Sequence, residues 1–330
     1  MLAENLYGKV NPQYSERHNR RIKWHKQFGN ERILHLMILP SVLCVILFSY
    51  FPMYGILAAF KRFSLFKGVL GSPWAKLYGF EHFADLFNAP DFGSIMRNTL
   101  VIAFLKLGLL SFPPIILAII LNEVKGVRFK KAAQTISYLP HFVSWVVVGG
   151  ILFSLLAPMP NAPLNKLLLN LRLIGEPVDI INNTGAFWPL LLLSDMWKEA
   201  GWSSILYLAV IAGIDMELYE AIDIDGGGRW AKIRHVTWQS AKGTFIIMFI
   251  LACGNIMNGM GETFEQCYVL GTAANRDVSM ILDVYVLRVG IENGRYSFAA
   301  AAGLFKSVIN LFLLLGANAL SRRVTGKGLF

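Results

Sequence analysis

The sequence predicts an all-α membrane protein with six transmembrane helices, on the basis of its composition, its long apolar segments and the charges of its loops. Of the 330 residues, 55% are hydrophobic and 16% are charged, and the mean hydropathy is +0.50. Soluble globular domains carry about 25% charged residues. A helix needs about 20 mostly apolar residues to cross a bilayer. Six segments satisfy this requirement, and they are 33–60, 96–121, 133–157, 187–214, 244–265 and 296–320.

The distribution of basic residues orients these segments with both termini in the cytoplasm. The pieces 1–32, 122–132, 215–243 and 321–330 hold 18 of the 31 Lys and Arg residues, and the opposite loops hold 9. Lys and Arg concentrate in cytoplasmic loops, so the richer set is predicted to be cytoplasmic. We therefore expect a basic arm over 1–32, a six-span domain over 33–320 that contains the cytoplasmic loop 215–243, and a tail over 321–330.

Several other functions are disfavoured by the sequence. The net charge of +10 is accounted for by cytoplasmic loops, and no basic stripe with interleaved aromatic residues suggests nucleic-acid binding. The three cysteines have no metal or redox spacing. No phosphate-binding G-x-x-x-x-G-K-[ST] motif is present. His141, at helical spacing from Tyr138 and Trp145, is predicted to pack on a helix face. We therefore predict no catalytic residue, metal or cofactor in this chain.

The loop 215–243 has its own local pattern. Asp215 is placed to cap a helix that continues to Ala221, and the three glycines 226–228 then turn the chain. Arg229 begins a second short helix that we expect to reach residue 236. Glu220 and Arg229 lie near the turn and are predicted to be exposed. Such a loop either docks on a soluble partner or merely connects two spans.

The same loop resembles the EAA loop of binding-protein-dependent ABC importer permeases. The family pattern is E-A-A, three residues, G, nine residues, I, one residue, then L-P. Glu220, Ala221, Gly226 and Val236 fit it, and Asp225 before the glycine is frequent in sugar permeases. The departures are Ile222 at the second alanine and the dipeptide 238–239 (Trp-Gln) at the leucine-proline. These departures affect the geometry with which the chain leaves the second helix more than they affect docking.

The resemblance extends to most of the chain from about residue 30. The segments 284–290 and 296–307 resemble the subgroup of permeases that carries oligo- and polysaccharides, and within it an alginate importer is the particular example suggested. This resemblance implies a maltose-transporter-like helical bundle in a bacterial plasma membrane. It implies that the cytoplasmic loop acts as a coupling helix, with contacts to the ATPase from Glu220, Ala221, Asp225, Gly226 and Arg229.

The resemblance also implies the other members of the complex. They are a second, homologous permease, two cytoplasmic ATPase subunits that bind ATP and Mg, and an extracytoplasmic solute-binding protein that delivers the sugar. The chain itself is then a non-catalytic transport subunit. The lack of a phosphate-binding motif suits a subunit that receives its energy from a partner.

Charged residues in the fourth segment suggest a substrate path. Asp195, Lys198 and Glu199 interrupt an apolar run, and charges inside a bilayer are costly enough to indicate a function. Trp197 and Trp202 lie beside them, and a sugar site combines aromatic faces with polar groups. Lys198 is also suited to meet the carboxylate of a uronate. The alternative is that Asp195 and Lys198, three residues apart, simply neutralise one another.

The fifth segment carries a second polar set. Asn255, Asn258 and Glu262 are spaced by three and four residues, which predicts one face of a helix. That face is predicted either to line the translocation path or to form hydrogen bonds between helices.

Two other functions compete with the importer. A secondary sugar transporter would use Asp195, Lys198 or Glu262 as a proton relay, but it predicts inverted repeats that the sequence does not show. A membrane enzyme would need clustered His or carboxylate side chains at one membrane face. Neither alternative explains the loop 215–243.

Overall fold

The computed structural model describes residues 32–258 and 262–325, and within these ranges the fold is helical. No strand occurs in the described residues, where one isolated antiparallel bridge pairs Lys61 with Trp74. The predicted all-α fold is therefore confirmed. Nearly all of the predicted arm 1–32 and half of the predicted tail 321–330 lie outside the described residues.

Twelve α-helices of seven or more residues form the framework of the described chain. They are α1 (Arg32–Val45), α2 (Glu81–Phe87), α3 (Phe92–Leu110), α4 (Pro113–Glu123), α5 (Val127–Tyr138), α6 (Trp145–Leu155), α7 (Pro163–Asn170), α8 (Thr184–Ala212), α9 (Met216–Ile224), α10 (Trp238–Gly254), α11 (Thr263–Leu270) and α12 (Tyr296–Thr325). The π-helical, 3-10 and single-turn segments are Ile46–Tyr50, Phe51–Phe60, Gly68–Gly71, Leu77–Gly79, Leu139–Phe142, Arg229–Lys232, Ile233–Thr237, Ile256–Asn258, Arg276–Ser279, Leu282–Tyr285 and Val286–Ile291.

The chain divides into two compact units, of which the first ends at Leu57 and the second begins at Ala58. The described part of the first unit is helical throughout, and α1 contains Pro40. Every side chain from 33 to 54 is exposed, including large apolar ones such as Ile33 and Phe48. A helix that is apolar on all sides is suited to a membrane.

The number of membrane spans stays a prediction, although helices occur at each of the six predicted segments. By length and apolar composition, four described helical segments can cross a membrane, or five if one bent pair counts as a single span. α8 has 29 residues, but it carries three charged side chains within 195–199. The four segments are Ile33–Phe60, Phe92–Glu123, Arg229–Gly254 and Tyr296–Arg323, and the bent pair is Val127–Phe142 with Trp145–Leu155.

The third predicted segment, 133–157, is not one straight helix. The helical stretch Val127–Phe142 meets α6 at an angle of 99°. Val143 and Ser144 are extended, and the hydroxyl of Ser144 accepts a hydrogen bond from the Val147 amide at 3.4 Å. A capping serine begins a new helix at this point. His141 therefore lies before a bend rather than on a continuous helix face.

The fifth predicted segment, 244–265, is wrong at both ends. The helical run begins at Arg229, passes through the π-helical turn Ile233–Thr237 and ends at Gly254. Gly254 lies against α12, where an added Cβ would come 2.6 Å from Leu314 Cδ1. The chain then forms the turn Ile256–Asn258, and α11 starts only at Thr263. Asn255 and Glu262 consequently do not share the face of one helix.

The larger core of the second unit forms where α3, α8, α11, α12 and the segment 280–285 meet. Side chains such as Ile102, Phe187, Cys267 and Phe298 are almost completely buried there. A smaller cluster joins α4, α8 and α10, and its buried residues are Ile115, Ala118, Tyr207, Ile211 and Ala241. α8 belongs to both clusters, so its side chains occupy the centre of this unit.

The loop between the first two spans is held by a surface ion pair. The Arg62 Nε donates a 2.8 Å hydrogen bond to Glu81 Oε2, and the Lys76 amide donates to the same oxygen at 2.8 Å. The Arg62 guanidinium, and then the Lys76 amide, lower the pKa of Glu81 to about 2. The carboxylate therefore stays ionised down to strongly acidic pH.

α5 packs closely on α8 at Gly201, so a larger residue at this position is expected to change the stability of the protein. An added Cβ at Gly201 would lie 1.9 Å from the backbone oxygen of Ser137, so the two helices would have to separate. We expect Gly201→Ala to lower the free energy of unfolding by about 1–3 kcal/mol, as overpacking does. The measurement is thermal unfolding of the detergent-solubilised protein.

Gly150, in α6, provides the matched control. An added Cβ at this position would have no atom within 4 Å, and alanine is favoured over glycine inside a helix by about 0.5–1 kcal/mol. Gly150→Ala should therefore be neutral or stabilising. Equal stability of the two variants would contradict the close contact at Gly201.

Candidate functional site: a charged cavity and an exposed loop

The loop 215–243 has the predicted helix, glycine turn and helix. The carboxylate of Asp215 accepts a 3.1 Å hydrogen bond from the Glu217 amide at the start of α9. Gly226 has a φ of +75°, a conformation that costs L-residues energy and suits glycine. Lys232 lies 2.7 Å from Asp223 across the turn. The second helix is not short, because it continues without interruption into α10.

The predicted contact residues of this loop are all exposed. Glu220, Ala221, Asp225, Gly226 and Arg229 are on its surface. Sequence reasoning missed the apolar residues beside them.

Two large apolar side chains flank the glycine turn: Ile224 is 86% exposed and Trp230 is 80% exposed. Arg229 Nε lies 3.0 Å from Glu123 Oε2 at the end of α4, and this contact connects the second helix of the loop to α4. A small exposed surface with apolar and charged groups is suited to docking on a protein.

Lys106 of α3 is the centre of a buried polar cluster that joins three helices. Its ammonium lies 2.7 Å from Asp195 Oδ2 of α8, and it donates to Thr263 Oγ1 at 2.6 Å and Gln266 Oε1 at 2.8 Å. The side chain of Lys106 is 1% exposed and that of Asp195 is 8% exposed. An ammonium has three donors, and all of them are used here.

Gln266 extends this cluster to the backbone of α8. Its Nε2 donates to Leu191 O at 2.7 Å and to Ser194 Oγ at 2.9 Å. Buried polar groups are tolerated when every member of the network is paired. The cluster therefore fixes α11 against α3 and α8.

Lys198, one turn after Asp195 on α8, is the centre of a second polar cluster. Its ammonium donates to Glu262 Oε2 at 2.7 Å, Glu199 Oε1 at 2.9 Å and His141 O at 3.1 Å. It also lies 5.6 Å from the ring centre of Trp145. Asp195 and Lys198 lie one turn apart on the same helix. The alternative that they neutralise one another is wrong, because Asp195 is paired with Lys106 of α3 and Lys198 is paired with Glu199 and Glu262.

A cavity of about 390 Å³ lies beside the two clusters. Its wall includes Lys106, Asp195, Glu199, Glu262 and His141, together with Trp202 and apolar residues of α3, α4 and α8. The rings of His141 and Trp202 stack with 4.4 Å between their centres and 3° between their planes. His141 Nδ1 lies 2.8 Å from Glu199 Oε2. The cavity wall thus combines a stacked aromatic pair with charged groups.

The remaining predicted path residues lie elsewhere or are incompletely described. Trp197 is 54% exposed and lines a separate apolar pocket with Val148 and Leu152. Asn255 ends α10 and donates to Leu251 O at 3.2 Å. The side chain of Asn258 is outside the described part of the chain. Of the eight predicted residues, Asp195, Glu199, Trp202 and Glu262 belong to the cavity wall. Lys198 is not part of the wall itself, but it donates hydrogen bonds to Glu199 and Glu262.

Sequence reasoning missed two residues of this site. Lys106 gave a signal, because a lysine in a long apolar segment needs a partner, but nothing in the sequence indicated which one. His141 was predicted to pack on a helix face, and the structure places its ring nitrogen 2.8 Å from Glu199 instead.

Comparisons with known proteins agree with this architecture. Residues 114–326 match the family described as "Binding-protein-dependent transport system inner membrane component". The chain is 40% identical over 310 residues to the protein LplB of Bacillus subtilis, covering 94% of each. It is also 40% identical, over 91% of each chain, to the Bacillus subtilis permease YteP of a polygalacturonan/rhamnogalacturonan transport system.

A solved structure has the same fold. It belongs to a bacterial ABC transporter involved in the import of the acidic polysaccharide alginate, and its matching chain is 34% identical with a TM-score of 0.81. The match covers 92% of this chain and 99% of that one. A second structure of an alginate ABC transporter, in complex with an alginate pentasaccharide-bound periplasmic protein, gives a TM-score of 0.80 at 33% identity, with 92% and 99% of the two chains covered.

These matches identify the class of protein. The chain belongs to the family of inner membrane components of binding-protein-dependent transport systems. It is a membrane protein with the fold of an ABC importer permease, as the loop 215–243 and the segments beyond it had suggested.

Proposed function

We propose that this chain is the permease subunit of an ATP-driven importer that moves an oligo- or polysaccharide rich in uronic acids across the plasma membrane. One observation carries the substrate class: the solved structure that this chain matches over nearly its whole length comes from an importer of an acidic polysaccharide. The similarity to a permease for polygalacturonan and rhamnogalacturonan supports the same class. Alginate, or its oligosaccharides, is one candidate within this class.

The cavity supports passage of such a substrate. The stacked pair His141 and Trp202 offers a ring-sized surface, and sugars pack on such faces through their C–H groups. Lys106 in the wall, and Lys198 paired with the wall residues Glu199 and Glu262, provide positive charge close by. In this proposal Asp195, Lys198, Glu199, Trp202 and Glu262 line the substrate path, and Lys106 and His141 join them. Trp197 and Asn255 are not among the described residues of the cavity wall.

The loop 215–243 is proposed to couple this path to ATP hydrolysis. Its exposed acids and apolar side chains would dock on a separate ATPase subunit, which binds ATP and Mg. A second, homologous permease would complete the pathway, and an extracytoplasmic solute-binding protein would deliver the sugar. Both termini would be cytoplasmic, and this chain would have no catalytic role of its own.

The function is tested by ATPase activity of the complete assembly in liposomes. The chain would be co-expressed with its partner permease, ATPase and binding protein, and oligogalacturonate and oligoalginate would be added in turn. We expect loaded binding protein to raise the ATPase rate at least severalfold above the rate with unloaded binding protein. A rate that no acidic oligosaccharide changes, with stimulation by a neutral sugar instead, would contradict the proposed substrate class.

The alternative of a secondary transporter makes the opposite prediction. Sugar uptake would then follow an imposed proton gradient in the absence of ATP. Membership of the binding-protein-dependent family argues against this mechanism, and no observation in the described residues favours it.

A further inference from the structure

The two buried lysines beside the cavity differ in how easily their anionic partners can be replaced. Lys106 is paired with Asp195, whose side chain is 8% exposed. Moving Asp195 away would leave a carboxylate without a partner inside the protein, which costs several kcal/mol. The Lys106 cluster is therefore a permanent part of the structure.

Lys198 has one partner that water already reaches. The Glu262 side chain is 42% exposed, whereas Lys198 itself is 1% exposed. Glu262 immediately precedes α11 and is part of the cavity wall. If its carboxylate left Lys198, it could regain solvent at little cost. Among the anionic partners of the two lysines, Glu262 is thus the one most readily exchanged.

Glu199, the second carboxylate on Lys198, is held more firmly. Its other oxygen lies 2.8 Å from His141 Nδ1, and its side chain is 29% exposed. Glu199 is also the next residue to Lys198 on α8, so the helix keeps the two side chains close. We expect Glu199 to stay in place when Glu262 moves.

The charge balance of the cavity disfavours an additional anion unless one of the carboxylates moves away. Two ammonium groups, of Lys106 and Lys198, face three carboxylates, of Asp195, Glu199 and Glu262. Leaving His141 aside, the groups carry one negative charge in excess. A uronate added to this set would be repelled, because like charges in a poorly solvated site repel strongly.

We propose that Glu262 occupies the position of a substrate carboxylate, and that a uronate residue of the sugar displaces it from Lys198. The exchange replaces one carboxylate by another, so Lys198 keeps three acceptors and no buried charge is left unpaired. The inference rests on the proposed function, since it assumes that the cavity lies on the sugar path. It assigns Lys198 as the specificity-determining residue and Glu262 as an internal competitor.

The exchange selects against neutral sugars. A hydroxyl of a neutral sugar would give Lys198 an uncharged acceptor in place of a carboxylate, so the attraction between two opposite charges would be lost. The neutral sugar therefore does not compensate for the loss of Glu262. Only a carboxylate of similar strength competes with it.

The test measures direct binding of trigalacturonate to the permease assembly in nanodiscs, without the binding protein. Glu262→Gln removes the competing charge, while its amide oxygen can still accept from Lys198. We expect this variant to bind trigalacturonate about tenfold more tightly, the gain expected when the binding-competent state was about one-tenth populated. The carboxyl-reduced trisaccharide has no carboxylate to pair with Lys198, so it should bind more weakly than trigalacturonate to both proteins.

Two matched variants separate exchange from a general charge effect. Glu265→Gln removes an exposed acid three residues further along α11 and should leave the affinity unchanged. Glu199→Gln removes an equal charge from the same lysine and should give a clearly smaller gain than Glu262→Gln. Equal gains in the Glu199 and Glu262 variants would overturn the exchange, as would an unchanged or weaker affinity of Glu262→Gln.

The outcomes also distinguish this inference from the proposed function. Binding only to Glu262→Gln, and not to the unmodified assembly, would support the exchange. Binding to neither would overturn it. If acidic oligosaccharides stimulate the ATPase of the unmodified assembly while Glu262→Gln gains no affinity, the exchange alone fails. If no acidic oligosaccharide stimulates the ATPase, the proposed substrate class fails.

Discussion

Replacing Lys106 with Met is expected to destabilise the protein by about 3–5 kcal/mol, the usual cost of removing one partner from a buried ion pair. The change leaves Asp195 charged and buried, and it also removes a donor from Thr263 and from Gln266. The polar link between α3, α8 and α11 would be lost. The measurement is the unfolding of the detergent-solubilised protein, followed by temperature or denaturant.

The double variant Lys106→Met/Asp195→Leu is the control for this prediction. It removes both charges, and replacing a buried ion pair by apolar residues is often neutral or stabilising. We therefore expect the double variant to be more stable than Lys106→Met alone. This reversal distinguishes an unpaired buried charge from a simple loss of packing around the lysine.

Lys306→Met provides a second comparison in a less buried pair. Lys306 and Asp283 form an ion pair in which the side chains are 18% and 22% exposed. Since solvent can reach Asp283 after the substitution, the loss of stability should be clearly smaller than at Lys106. Equal losses at the two lysines, with no recovery in the double variant, would contradict the role given to Asp195.

The pairing at Lys106 shows what could not be predicted from the sequence. Spacing along a helix indicates neighbours three or four residues apart, and it suggested that Asp195 pairs with Lys198. In the structure, Asp195 is paired with a lysine 89 positions earlier. Such a contact depends on how α3 packs against α8, which local periodicity does not determine.

Most features of the loop 215–243, by contrast, could be predicted. Asp215 as a cap, Gly226 as the turn and the exposure of Glu220 all follow from short-range rules, and the structure confirms each of them. The prediction that the polar residues of the fifth segment share one helix face is wrong, because it depended on where that helix ends. Apolar composition suggested that the helix continues to residue 265, but it ends at Gly254 with Asn255 as the cap. Glycine and asparagine are common at helix ends, and Gly254 also makes a close contact with α12.

The second large effect is expected at Gly226. Valine at this position must either adopt a φ near +75°, which costs a β-branched residue on the order of 1–2 kcal/mol or more, or change the turn between α9 and the second helix. Either result moves the surface that carries Glu220 and Ile224. We expect Gly226→Val to lower sugar-stimulated ATPase activity and transport at least tenfold while the protein still inserts in the membrane.

Gly228→Val is the matched control for this substitution. Gly228 lies two residues further along the same turn, has a φ of −84° that any residue adopts, and has no atom within 4 Å of an added Cβ. The same side chain is therefore introduced without strain. Activity of Gly228→Val should stay within about twofold of the unmodified protein, since surface substitutions away from special features have small effects.

Glu220→Ala tests the contact itself rather than the shape of the turn. Glu220 is exposed on α9, and no hydrogen bond or ion pair ties its carboxylate to another described residue, so its removal should leave the fold intact. If this carboxylate contacts the ATPase, the variant loses transport and sugar-stimulated ATPase activity together, with unchanged thermal stability. Normal stimulation in both Glu220→Ala and Gly226→Val would show that this loop only connects two helices, and coupling would then have to pass through another cytoplasmic surface.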